Sequence, residues 1–377
     1  MKFRNALRLA AALALCAIAL PVVASAQDTL KIGVYLPMTG AVAAYGDMEW
    51  SGLQIALAMQ PSVLGKKVEL ILVDTKSDKI EAANAVSRLI QNDKVVGIIG
   101  EAISGDTMAG NPISEASMIP SISPTATSPL VTQGKKYAFR ACFIDPFQGE
   151  VAARFAYGNL KARTAAVIID NAQDYCVGLG SFFKREFEKE GGKIVSTTFI
   201  QTGDQDFSAQ LSAVQATRPD VIYAPNYYTE DALMAKQARD LGLDAPILTG
   251  DGAQAQALIA IGGKSVENMY LTAHFHKDAA VTDRGKAFIE RYEEKYKKEA
   301  DAFSALSADS YFLLIDAIAR AGATDGTKLR DALAATTDFQ GVSGVITMNE
   351  DGNPTKSVVI NKVEGGKFVY VTTINPQ

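Results

Sequence analysis

Short apolar runs and amphipathic stretches alternate along most of the chain. Residues 30–36 (LKIGVYL), 68–73, 95–99 and 119–122 have the composition of buried strands. Between the first three, residues 47–59 and 80–90 carry apolar side chains at helical spacing. The pattern restarts after Arg140. Strands are expected at 165–169, 193–199, 221–224 and 246–248, with helices at 178–189, 207–216 and 231–241. Strands separated by helices of about 10–15 residues indicate parallel βαβ units. Two such runs predict an α/β protein with two doubly wound parallel-sheet lobes. The tail differs: helices are expected at 284–296, 305–320 and 327–335, then β-like stretches at 344–348, 356–361 and 368–373. Helices so late in the chain must still cover an apolar face, and the economical arrangement returns them to the first lobe. Several segments would then cross between lobes and form a hinge.

The N-terminus reads as an address. Lys2, Arg4 and Arg8 precede an apolar run over 9–23, and Ala24-Ser25-Ala26 offers small residues for cleavage. This is the pattern of a secretory signal peptide cut after Ala26, with export expected. Cys16 follows Leu15, where a lipoprotein would want a small residue. No other run is expected to span a membrane. Removing residues 1–26 from the chain of 377 leaves a length that suits two lobes rather than one core. The leader takes three basic residues and no acid from a formal charge of −5, so the remainder is distinctly acidic. That is a poor composition for binding nucleic acid or an anionic membrane. Two cysteines remain, Cys142 and Cys176; an exported protein could bridge them, and two buried free thiols fit equally well.

Candidate chemistry concentrates between residues 95 and 127. Two apolar runs end there in small polar residues: Ser104, Gly105, Asp106 and Thr107 after the first, and Ser123-Pro124-Thr125-Ala126-Thr127 after the second. In a parallel α/β sheet, ligands lie beyond the carboxyl ends of strands. Two adjacent strand ends would present hydroxyls and free N–H groups to one anion, helped by a helix start. One half of a pocket for a small carboxylate is the reading.

Five motifs occur in order: Leu36-Pro37-Met38-Thr39-Gly40 through Tyr45-Gly46-Asp47, the Ser104 segment, Ile122 through Thr127, Phe139-Arg140, and Asp206-Phe207-Ser208. Together they resemble the periplasmic leucine/isoleucine/valine-binding proteins, the type I solute receptors of ABC transporters. The resemblance runs over essentially the whole chain after the leader. It implies a Venus-flytrap of two lobes joined by three crossovers and enclosing an amino acid. Lobe 1 would comprise 27–141 with 273–354, and lobe 2 would comprise 142–272 with 355–377. It further implies that Ser104 and Thr127 hold the ligand carboxylate, with Thr125 contributing backbone groups. Tyr45, in the loop after the first strand, would pack beside the ligand; Tyr175 and Tyr227 would close over it. Asp251 would pair with the ammonium, and Phe303 would form an aromatic wall. Tyr175, Tyr227 and Asp251 each follow an expected strand of the second run, in agreement with these roles, and Gly250 and Gly252 beside Asp251 allow close backbone approach. Two departures accompany the resemblance. The family has Glu where Asp251 stands, and its disulfide positions correspond to Ser77 and Ile103. The partners implied are a small amino acid, aliphatic or branched-chain, and the subunits of a membrane permease, with the receptor itself a monomer. An aromatic amino acid, an amide, another small carboxylate or a sensory role on the same fold are the alternatives.

Enzymatic readings find no support. Phosphate-binding GxxxxGK, GxGxxG and the GxSxG nucleophile turn are all missing from the sequence. No cofactor is expected. His274 and His276 could begin a metal site on a strand, but no third ligand lies near them in sequence. A place on the hinge surface is the plainer expectation for both.

Overall fold

The computed structural model describes residues 29–376; the expected signal peptide and the cleavage point after Ala26 lie outside them. The first sheet contains β1 (Leu30–Leu36), β2 (Ser62–Val63), β3 (Lys66–Asp74), β4 (Gly97–Gly100), β5 (Ser121–Ser123) and β6 (Ala138–Arg140). Their order is β2-β3-β1-β4-β5-β6. All pairs are parallel except the hairpin of β2 with β3. α1 (Ala43–Met59), α2 (Lys79–Gln91) and α3 (Ser104–Ala116) make the crossovers. β4 is buried throughout, which is why it reads as an unbroken apolar run rather than as an alternation; β5, Ser-Ile-Ser, is buried as well.

α4 (Asp145–Gly158) then leads into the second sheet. Its parallel part runs through β7 (Thr164–Asp170), α5 (Asp174–Lys189), β8 (Lys193–Ile200), α6 (Ser208–Thr217), β9 (Val221–Tyr223), α7 (Tyr228–Asp240), β10 (Ile247–Thr249), α8 (Gln256–Gly262) and β11 (Tyr270–Ala273). After β11 the chain returns to the first sheet with α9 (Asp283–Tyr296), α10 (Ala302–Ala321) and α11 (Gly326–Ala334). A small antiparallel sheet follows, of β12 (Phe339–Gln340), β13 (Val345–Met348) and β14 (Pro354–Thr355). Finally β15 (Val358–Glu364) adds antiparallel to β11, and β16 (Lys367–Ile374) to β15. The second sheet is thus ordered β16-β15-β11-β10-β9-β7-β8. The chain passes between the two sheets three times: after Arg140, after Ala273, and between Thr355 and Val358.

Three features depart from the sequence reading. α1 begins at Ala43, a turn earlier than expected, so Tyr45 belongs to a helix and not to a loop. α4 was not anticipated; its apolar positions are mostly Ala and Gly, too small to mark a helical stripe. α10 is long and apolar enough to cross a membrane by length and composition, although no such segment was expected after the leader. It is the buried helix of the first lobe, predominantly apolar because neighbours cover most of its length. It lies along α1, where Gly52 leaves room that a Cβ would fill against the Ser304 carbonyl.

Candidate functional site

The strand ends of the two sheets face each other across a small cavity. All eight residues singled out from sequence line it: Tyr45, Ser104, Thr125, Thr127, Tyr175, Tyr227, Asp251 and Phe303. Ala102, Ile103 and Gly252 complete the wall.

On the first-lobe side, Ser104 opens α3 just past β4. Its Oγ accepts the Ser128 N–H at 3.1 Å, so the hydroxyl proton is left for another acceptor. The preceding turn is shaped by Glu101, whose carboxyl accepts the Ile103 N–H (2.8 Å) and the Thr75 hydroxyl (2.7 Å). Burial pushes the Glu101 carboxyl well above the carboxylate range, and nearby Asp106 adds to this. Ser123 donates to the Glu101 carbonyl at 2.7 Å and ties the ends of β4 and β5 together. The loop after β5 is held from behind by Arg140, a fully buried guanidinium. It donates to the carbonyls of Ala126 (2.8 Å) and Ser128 (2.9 Å). The Thr125 hydroxyl is used within the lobe, 2.6 Å from Glu49 Oε1 and 2.9 Å from the Ala102 carbonyl. Only its backbone is therefore available to the cavity. Burial pushes the Glu49 carboxyl up to about 8, against the Thr125 hydroxyl.

On the second-lobe side, Tyr175 lies in the first turn of α5, Tyr227 caps α7, and Asp251 begins a short 3-10 turn after β10. Asp251 is 4% exposed and is not bare. Its Oδ1 accepts Gln148 Nε2 at 2.7 Å and Tyr175 Oη at 2.9 Å, and its Oδ2 lies 3.0 Å from His274 Nε2. Gly250 is required here, because a Cβ would run into Tyr175 Oη. The Tyr175 and Tyr227 rings stack at 5.6 Å.

The lobes are in contact around the cavity. Tyr45 stacks on Phe303 at 4.4 Å, meets Tyr227 edge-on at 5.8 Å, and donates its hydroxyl to the Gly252 carbonyl. Tyr228 Oη donates to the Ala41 carbonyl at 3.2 Å. Lys79 of α2 pairs with Asp174 of α5 at 3.0 Å. The cavity is consequently enclosed, and charges inside it are shielded little by water.

Sequence reasoning missed four groups at or behind this wall: Glu49, Asp145, Gln148 and His274. Asp145 is fully buried, and neither carboxyl oxygen meets a donor in hydrogen-bonding geometry. Its N–H reaches across the lobes to the Thr127 carbonyl at 3.1 Å. Burial pushes its carboxyl up to about 8; the neighbouring Thr127 hydroxyl and Arg140 oppose the shift and Asp251 reinforces it. The two histidines are not on the hinge surface: His274 and His276 are 2% and 8% exposed. His276 Nε2 lies 3.2 Å from the Phe368 carbonyl, away from Asp251. Cys142 and Cys176 are buried and unbridged. Where the family carries a disulfide, Ser77 Oγ donates to the Thr39 carbonyl at 2.9 Å and Ile103 lines the cavity.

A profile of the periplasmic binding protein family matches residues 29–367. A leucine-, isoleucine-, valine-, threonine- and alanine-binding protein from Pseudomonas aeruginosa is 31% identical, covering 87% of this chain and 88% of its own. The crystal structure of a leucine-binding protein, LivK, from Thermotoga maritima superimposes with a TM-score of 0.91 at 49% identity, over 92% of this chain and 99% of that one. That of the branched-chain amino acid transporter substrate-binding protein LivJ from Streptococcus pneumoniae, in complex with isoleucine, gives 0.88 at 32% identity, over 93% and 100%. Two doubly wound lobes, three crossovers and an enclosed cleft agree with this match, and the chain belongs to the periplasmic binding protein family, with its type I fold.

Proposed function

We propose that this protein is an exported receptor that captures a small amino acid, preferably aliphatic or branched-chain, between its closing lobes and hands it to an ABC importer. The observation that carries the reading is the division of polarity within one small enclosed cavity. Its first-lobe end holds the Ser104 hydroxyl with an uncommitted proton and the Thr127 hydroxyl. Its second-lobe end holds Asp251, with Asp145 buried nearby without a donor. A carboxylate group has about four acceptor sites; Asp251 has three donors, which leaves room for an ammonium. A zwitterion satisfies both ends at once, whereas a plain acid leaves the second-lobe carboxyls without a cation. The rings of Tyr45, Phe303, Tyr175 and Tyr227 suit an apolar side chain between them. Relatives named for leucine, isoleucine and valine binding agree.

Contacts from both lobes exist only when the cleft is shut, so ligand shifts the population toward the closed form. A permease can then distinguish loaded from empty receptor. The receptor acts as a monomer in the periplasm after cleavage behind Ala26. Micromolar capture requires about −8 kcal/mol, within reach of one buried ion pair, several charged hydrogen bonds and an apolar wall. The test is a thermal-shift panel of L-leucine, isoleucine, valine, threonine, alanine and phenylalanine against 4-methylpentanoate and benzoate. Aliphatic amino acids should raise the melting temperature and the amine-free acids should not. An equal response to 4-methylpentanoate and leucine overturns the reading.

A further inference from the structure

The hinge contains a buried imidazole for which the capture scheme has no role. His274 directly follows β11 and is almost fully buried. Its Nε2 is 3.0 Å from Asp251 Oδ2, while Nδ1 is buried with no hydrogen-bond partner. Facing a carboxylate on one side and no donor on the other, the neutral ring carries its hydrogen on Nε2 and gives it to Asp251. The ring packs on Phe143 with centroids 3.7 Å apart. Phe143 belongs to the first crossover, His274 to the second and Lys356 to the third. Buried Lys356 Nζ donates to the Ala141 carbonyl at 3.1 Å and lies 3.8 Å from Asp309 Oδ2. Asp251 is thus held from one side by Gln148 and Tyr175 of the second lobe, and from the other by a ring of the second crossover packed on Phe143 of the first.

We propose that His274, as the neutral Nε2–H tautomer, is a positioning residue that aims Asp251 at the ligand's ammonium and makes that grip pH-dependent. The inference rests on the amino-acid reading above. A proton on His274 puts a second cation on Asp251, in competition with the ammonium for one carboxylate. It also charges an Nδ1 that faces no acceptor. Burial lowers the pKa of the ring, Asp251 raises it, and Lys356 lowers it again. The other charged or titratable groups around this centre are Asp145 at the start of α4, Cys142 in the first crossover, Asp309 behind Lys356, and the phenols of Tyr45, Tyr175 and Tyr223, which burial and Asp251 keep protonated. A proton held by His274 in the open receptor must leave when ligand binds. Acidification through that pKa therefore weakens capture, by at most about tenfold per pH unit.

The experiment is calorimetric titration of the mature protein with L-leucine from about pH 5 to about pH 8, comparing wild type, His274→Gln and His274→Leu. Gln carries an N–H of similar reach but does not titrate; Leu keeps bulk without a donor. His274→Leu should weaken binding about tenfold or more at the alkaline end, as expected for a lost hydrogen bond to a charged group, and His274→Gln should restore most of it. Wild type should lose affinity toward acid more steeply than His274→Gln. Titration of Asp145 is common to both proteins and cancels in that comparison. If His274→Leu does not fold by circular dichroism, the difference in slope between wild type and His274→Gln decides alone. Identical pH profiles, or wild-type affinity in a folded His274→Leu, overturn the proposal. Wild type that binds leucine while the variants behave alike overturns only this inference. Wild type that binds no amino acid overturns the earlier reading as well.

Discussion

Replacing Asp251 with Ala tests the grip on the ammonium directly. The substitution removes an acceptor from a cavity closed to water and also strips three donors of their common partner. Those donors fare differently. Gln148 Nε2 keeps Thr272 Oγ1 at 2.8 Å, whereas Tyr175 Oη keeps only the Gly252 N–H it accepts at 3.3 Å, and its own proton loses its acceptor. His274 Nε2 keeps no partner among the described residues. Loss of fold stability should therefore come chiefly from His274 and Tyr175, and loss of affinity from the stranded ammonium. Breaking a buried ion pair costs about 3–5 kcal/mol, and a hydrogen bond to a charged group is worth about 1.5–3 kcal/mol. Asp145 is close enough to Asp251 to feel its charge and has both oxygens without donors, so it softens the loss. The expected penalty is about 2–3 kcal/mol, or about 30- to 150-fold in Kd. Calorimetry with L-leucine at neutral pH measures it, with a thermal melt to establish that the variant is folded. An unchanged Kd in a folded Asp251→Ala protein refutes the assignment.

Other expectations follow from single groups. Ser104→Ala should weaken leucine about tenfold to a hundredfold, because a donor to the carboxylate is lost and the Ser128 N–H loses its acceptor; a titration within twofold of wild type would contradict this. Burial pushes the carboxyls of Glu49, Asp145 and Asp231 up to about 8, whereas they titrate near about 4 in the unfolded chain. The folded protein then binds more protons over this window, so stability falls as pH rises from about 4 toward about 8, by up to about 1.4 kcal/mol per pH unit for each group. The melting temperature should be lower at the alkaline end, and Glu49→Gln, which keeps the contact to Thr125, should shrink the difference; a wild-type melting temperature that climbs across this range would be incompatible. Cys142 and Cys176, both unbridged, should take up two alkyl groups on denaturation without prior reduction, whereas a mass unchanged until reductant is added would reveal a disulfide.

Much of the cleft was legible in the chain because strand ends are local events. An apolar run that stops at small hydroxyl residues marks both a buried strand and the place where its backbone turns toward a ligand. Ser104 and Thr127 were found this way, Tyr227 and Asp251 through the family resemblance, and all four line the cavity. Tyr45 and Tyr175 were found with the wrong local setting, since both belong to first helical turns. Helix starts blur where the first residues are small or polar and contribute little to a hydrophobic stripe. The same weakness hid α4, and Asp145 and Gln148 with it.

The alternation of strands and helices, the two-lobed class and the strand-end residues follow from the sequence alone, because burial imposes a period on neighbouring positions. Partnerships and charge states do not. Asp251 meets Gln148 across 103 positions, Tyr175 across 76 and His274 across 23. No local pattern encodes such distances; they arise only when two sheets pack and three crossovers converge. The commitment of the Thr125 hydroxyl to Glu49, the burial of Asp145 and the neutral ring of His274 were likewise decided by the tertiary structure. An ionisable group's charge depends on the water it has lost and the groups it faces, and both are properties of the folded interior.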